Sequence, residues 1–232
     1  MKILLSILIP VLCAGQAFTQ RQVIKSETLS EKEVANTFSD AEKNELELIY
    51  PIFKVYKYSD ESGQFYTILT GSGDSTGNHE GIVGTKIRAV TAKFENGRFK
   101  NMWEINDFAD KKKEEKSIWI GTKYIEFKDY DNDHLADPVI VYGTTGLNGT
   151  DDGKIKFVIY YKGQKIFLRH QNSTLPAERQ LQIDKAFYSL PVKLQTSIKD
   201  KMERMVKDKQ AIFPHGWQTA MENGSTTVKG SY

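Results

Sequence analysis

Lys86-Ile87-Arg88-Ala89-Val90-Thr91-Ala92-Lys93-Phe94 runs into Glu95-Asn96-Gly97, and Arg98-Phe99-Lys100-Asn101-Met102-Trp103-Glu104-Ile105 runs back out. Both arms favour extended backbone, and Asn-Gly readily supplies the two positive φ angles of a tight hairpin turn. The stretch predicts an antiparallel hairpin and places the chain in a mainly β class. Upstream, Ile52-Phe53-Lys54-Val55-Tyr56-Lys57-Tyr58 has the same composition. It turns at Asp60-Glu61-Ser62-Gly63 and returns as Gln64-Phe65-Tyr66-Thr67-Ile68-Leu69. Downstream, residues 117–120, 124–127, 138–142, 155–161 and 165–169 extend the series to roughly eight to ten short strands.

The flanks read differently. Residues 1–19 form a signal peptide: Met1-Lys2 is a positive start, and residues 3–13 are apolar but too short to span a bilayer. Cleavage is placed before Gln20, with cleavage after Ala17 as the alternative. Lipid anchoring through Cys13 is disfavoured because Leu12 directly precedes it. The expected location is periplasmic or secreted. Residues 20–48 form a polar leader with a short helix opened by Ser30 and Glu33, a capping-box spacing. Residues 49–224 form a single β-rich domain, with C-terminal helices over about 176–208 packed on its sheets. Pro176 opens the first of these helices, with Ile183, Phe187 and Leu190 on one face. Leu194, Ile198, Met202 and Met205 mark the second as a core-facing helix. Residues 71–84 carry five glycines and read as a loop, residues 111–116 are a solvated charge run, and residues 225–232 are a flexible tail.

Removing the signal peptide removes Cys13, the only cysteine, so the exported protein relies on its core rather than on disulfides. It also removes Lys2, leaving 31 basic against 30 acidic residues. That balance argues against a nucleic-acid partner. No later apolar run reaches the length of a transmembrane helix.

The chemistry concentrates in Asp129-Tyr130-Asp131-Asn132-Asp133-His134-Leu135-Ala136-Asp137. Carboxylates stand at loop positions one, three, five and nine, and Leu135 at position seven offers a backbone carbonyl. Alternate ligands of a tight loop converge on one hard cation, and calcium takes six to eight oxygens at roughly 2.3–2.6 Å. The candidate calcium ligands are Asp129, Asp131, Asp133, Leu135 and Asp137. Asp151 and Asp152 are weaker candidates, read as turn residues. His134 takes the sixth position, where glycine is usual, although histidine tolerates positive φ better than most residues. Position twelve is Ile140 and no helix is expected on either side, so the loop is not an EF-hand. An aspartate-rich turn that holds no metal is the alternative.

At these residues the chain resembles the strand–loop–strand calcium sites of integrin-type propellers, a motif shared with exported bacterial proteins. Asp129, Asp131, Asp133 and Asp137 match the acidic positions of D-x-D-x-D-G-x-x-D, and Val139-Ile140-Val141-Tyr142 matches its exit strand. The resemblance covers residues 124–142 and implies propeller-like sheets of short strands. The wider layout resembles small periplasmic propeller proteins related to lysozyme inhibitors. With Phe53-Lys54-Val55-Tyr56-Lys57-Tyr58-Ser59-Asp60 and Phe213-Pro214-His215-Gly216-Trp217, the chain is also similar to exported Bacteroidetes proteins labelled surface polysaccharide biosynthesis.

No catalytic set emerges. His79, His134, His170 and His215 form no metal-ligand pair, and His79-Glu80 is followed by Val83 where a zinc-protease motif needs its second histidine. Asp107, Glu126 and Asp133 remain open as a glycosidase-type carboxylate pair, with Trp103 and Trp119 near them in sequence. The expected function is a non-enzymatic, calcium-stabilised binding or structural protein of the cell envelope with a protein or glycan partner. The alternatives are an enzyme acting on cell-surface polysaccharide and a lysozyme-inhibitor-like protein.

Overall fold

The computed structural model describes residues 24–73 and 83–231. The residues expected to form a signal peptide, the start of the leader, most of the glycine loop and Tyr232 lie outside the described residues. In chain order the first half forms β1 (Ser26–Thr28), α1 (Glu31–Thr37), α2 (Asp40–Glu45), β2 (Ile52–Asp60), β3 (Gly63–Gly71), β4 (Val83–Gly84), β5 (Lys86–Glu95) and β6 (Arg98–Phe108). Then follow β7 (Ser117–Ile120), β8 (Glu126–Lys128), β9 (Asp137–Thr145), β10 (Lys154–Tyr161), β11 (Gln164–Gln171) and β12 (Gln180–Ile183). The chain closes with α3 (Val192–Lys207), α4 (Trp217–Glu222) and β13 (Thr227–Lys229).

The strands form two antiparallel sheets, one ordered β1-β2-β3-β5-β6 and one ordered β13-β12-β11-β10-β9-β7-β4, with β8 also paired to β9. Local chemistry accounts for the joints. Asn96 (φ 54°) and Gly97 (φ 76°) both take left-handed backbone, so β5 turns into β6 in two residues. Lys162 (φ 46°) and Gly163 (φ 80°) do the same between β10 and β11. Ser30 caps α1 and Glu33 reaches back to it, as the spacing predicts. Ser39 and Glu42 repeat the device one helix later.

Alternating side chains set the layers. Ile87 and Ala89 of β5 join Tyr58, Phe65 and Trp103 in facing Ile118, Phe127, Ile140 and Val158 of the second sheet. Val90 and Ala92 point the other way, onto Phe38 and Leu46 beside α2. The far face of the second sheet buries Val139, Val141, Phe157 and Leu168 against Leu194, Ile198, Met202 and Met205 of α3. The α3 stripe is therefore core-facing, and truncating one of these side chains to alanine costs about 2–5 kcal/mol.

Two expectations about the C-terminal third are corrected. Residues 176–190 do not form an α-helix. Pro176–Glu178 and Lys185–Ser189 are single 3-10 segments, and β12 lies between them. Leu181 and Ile183 are buried with Gln182 exposed between them, a period of two that pairs with β11. The spacing of Ile183, Phe187 and Leu190 only imitates a helix. The polar tail also contains β13, which pairs with β12 and buries Val228. With the short β1, β4 and β8, these edge strands bring the described residues to thirteen strands.

Candidate metal centre

The 129–137 loop joins β8 to β9, two strands paired to each other, so both of its ends are fixed. Its tight course needs left-handed backbone at Asn132 (φ 64°) and His134 (φ 66°). The turn usually assigned to glycine is thus made by a histidine. Asp129 holds the turn from within: Oδ1 accepts from the Asn132 N–H at 2.6 Å and Oδ2 from the His134 N–H at 3.1 Å. The loop is also fastened to the other sheet. Asp60, at the end of β2, accepts from the Ala136 N–H at 3.0 Å, and the Glu61 N–H donates to the His134 carbonyl at 3.1 Å.

Asp129, Asp131 and Asp137 each bring a carboxylate oxygen to within 4.8 Å of the others. Asp137 is 2% exposed, and its Oδ2 accepts from the Tyr130 N–H at 2.9 Å. Burial pushes its carboxyl up to about 7, and the charges of Asp131, Asp133 and Asp129 push in the same direction against the Tyr130 bond. Burial also opposes ionisation of Asp131. Hydrogen bonds from the Lys162 ammonium (2.8 Å), the Tyr161 hydroxyl (2.8 Å) and the Asp133 N–H (3.3 Å) outweigh it and hold Asp131 down at about 2. The trio therefore pairs two anchored carboxylates with a third, buried one whose charge lacks compensation, a donor set that fits a hard cation.

The other two candidate ligands stand outside this trio. Asp133 accepts from the Leu135 N–H at 3.0 Å and pairs with Lys162 at 3.3 Å, and the Leu135 side chain is exposed. Asp152 is engaged in its own turn, accepting from the Asn148 N–H at 2.8 Å. Asp151 and Asp152 follow the opposite end of β9, some nine residues from Asp137 at roughly 3.3 Å per residue, too far to join the loop.

Sequence reasoning missed what supports the loop. The Tyr130 hydroxyl donates to Glu126 at 2.6 Å and meets Ser197 of α3 at 2.8 Å, and the buried Lys201 ammonium bonds the same Glu126 carboxylate. Burial alone would raise Glu126, but bonds from Lys128, Lys201 and Tyr130 hold it at about 2. The only signal was Lys201 itself, a charge set one residue from Met202 beside the apolar stripe. Lys162 was hidden inside a hairpin turn.

The carboxylates weighed as a glycosidase pair have separate duties. Asp107 accepts from the Tyr142 hydroxyl at 2.8 Å and from Lys156, Glu126 belongs to the α3 network, and Asp133 belongs to the loop. Trp103 stacks on Tyr160 at 5.1 Å inside the core, and Trp119 is equally buried. His170 is buried between Asn172 and the Gln180 carbonyl, His215 is exposed, and His79 lies outside the described residues.

No family model, curated protein or solved structure matches this chain. No described helix is long and apolar enough to cross a membrane.

Proposed function

We propose that this chain is an exported, non-enzymatic protein of the cell envelope, periplasmic or secreted. Its 129–137 loop binds one calcium ion and so fixes the surface offered to a protein or glycan partner. The reading is carried by the convergence of Asp129, Asp131 and the buried Asp137, in a loop hydrogen-bonded across to the other sheet. Carboxylates this close repel one another, and a divalent cation removes that cost. Asp133 and the Leu135 carbonyl complete the proposed donor set. Calcium is favoured over magnesium because the proposed set offers five protein oxygens to one ion, whereas magnesium demands a tight octahedron and keeps several of its waters.

The export signal supports the choice, since calcium outside the cytoplasm is plentiful. Propeller-like sheets of short strands and the link to surface polysaccharide both rest on the sequence resemblance. Calcium returned to chelator-treated protein is expected to raise its Tm, and Asp131→Ala is expected to abolish the rise. An unchanged Tm after calcium is restored refutes the proposal. Amino-terminal sequencing of the exported protein checks the address, with Gln20 expected first.

A further inference from the structure

On the face that meets the five-stranded sheet, the shared core includes Val158 and Tyr160 of β10 and Phe167 of β11. The same face then continues with polar side chains. Strand register sets them in two rows, Lys156–Arg169–Gln182 and Lys154–Gln171–Gln180. With Lys113 they line a groove of about 390 Å³. Among the described residues, four cations face this groove and no acidic residue lines it.

The cations are held in place from outside the groove. Lys113 pairs with Asp110 at 3.3 Å, Lys154 with Glu115 at 2.5 Å, Lys156 with Asp107, and Arg169 with Asp184 at 2.8 Å. None of these acids lines the groove. Arg169 also lies over the Phe167 ring at 4.4 Å, and Lys156 over Tyr142 at 5.5 Å. An ammonium has three N–H donors and a guanidinium five, so these pairs orient the cations without exhausting them. The paired carboxylates offset this charge, so the groove wall presents a cluster of oriented N–H donors rather than a net positive field.

We propose that the groove binds a short stretch of acidic polysaccharide, a sugar chain bearing uronate-type carboxylates. The cations suit the carboxylates, and the Gln180 and Gln182 amides, each both donor and acceptor, suit ring hydroxyls. The volume sits at the small end of the roughly 300–1,000 Å³ typical of ligand clefts, the scale of a few sugar units rather than a folded partner. The proposal gives the glycan partner of the preceding section a location and rests on that reading only for its setting. The groove lies at the end of β10 remote from Lys162 and the cation loop, so the two fail separately.

The test is calorimetric titration of the exported chain, in calcium, with uronate-bearing oligosaccharides cut from hyaluronan. Neutral malto-oligosaccharides and short polyglutamate serve as controls. Binding is expected for the uronate sugar alone. Gln182→Glu, which breaks no ion pair, should weaken it at least about tenfold by setting like charge against the ligand. Lys100→Gln, on the other sheet, should leave it unchanged, and both variants should keep the calcium-dependent Tm. Absent binding to the uronate sugar, equal binding of polyglutamate, or undiminished affinity in Gln182→Glu each overturns the proposal. Loss of the calcium response with sugar binding intact would count against the cation loop instead.

Discussion

Replacing Asp137 with asparagine is expected to stabilise the cation-free protein near pH 8 while abolishing its response to calcium. Burial, reinforced by the neighbouring aspartates, lifts the Asp137 carboxyl from 3.8 to about 7. A carboxyl whose folded value is raised holds its proton more tightly in the native state. The stability this contributes is complete below 3.8 and is lost as the pH rises through about 7. At about 1.36 kcal/mol per pH unit, that interval amounts to about 4 kcal/mol by pH 8. Asparagine keeps the volume and an oxygen for the Tyr130 N–H, and it does not ionise. In chelator near pH 8 the variant should gain up to about 4 kcal/mol, at roughly 2–4 °C of Tm per kcal/mol for a chain of this size. Near pH 4 the gain should fall below about 1 kcal/mol. With calcium at about a hundred times its Kd, the parent should recover about 2.7 kcal/mol and the variant nothing. Urea unfolding at the two pH values reads all of this. A variant less stable than the parent at both, or a gap that does not change with pH, refutes the reasoning.

Lys162→Gln removes an ammonium from Asp131 and Asp133. It should lower the Tm in chelator and enlarge the calcium-induced rise, both visible in paired melts. Glu126→Gln leaves the buried Lys201 ammonium without its counter-charge and should cost about 3–5 kcal/mol in urea unfolding. Burial, against the hydrogen bond to Asn172, holds His170 down at about 4 from 6.5. Because the unfolded chain takes up this proton first, stability should fall as the pH drops from 6.5 to about 4, and the His170 ring signals should still report a neutral imidazole near pH 5. A Cβ at Gly143 would lie 2.3 Å from the Lys154 carbonyl and 2.6 Å from the Trp119 ring, so Gly143→Ala should lower the Tm by several degrees in a thermal melt.

What could be read in advance was what neighbouring residues decide among themselves. Asn96-Gly97 fixes a turn by its own φ angles, Ser30 and Glu33 cap a helix start within one turn, and the α3 stripe repeats every three or four residues. Strands whose only stabilisation is a distant partner escaped. β1 and β13 are three residues each, and β12 hid behind Pro176 and a helix-like spacing. The loop divides in the same way. Spacing along the chain brought Asp129, Asp131 and Asp137 to one point, but Asp133 answers to Lys162 on another hairpin, and Tyr130 to Glu126 and Ser197. Those partners are set by packing, which no local pattern encodes.

The 129–137 loop, the proposed cation site, is hydrogen-bonded across to the other sheet. Calorimetric titration of calcium into the chelator-treated chain tests the site most directly. One ion should bind per chain, with no binding in Asp131→Ala or Asp137→Asn, both still folded. Absence of binding to the parent, or binding that both variants retain, would contradict it.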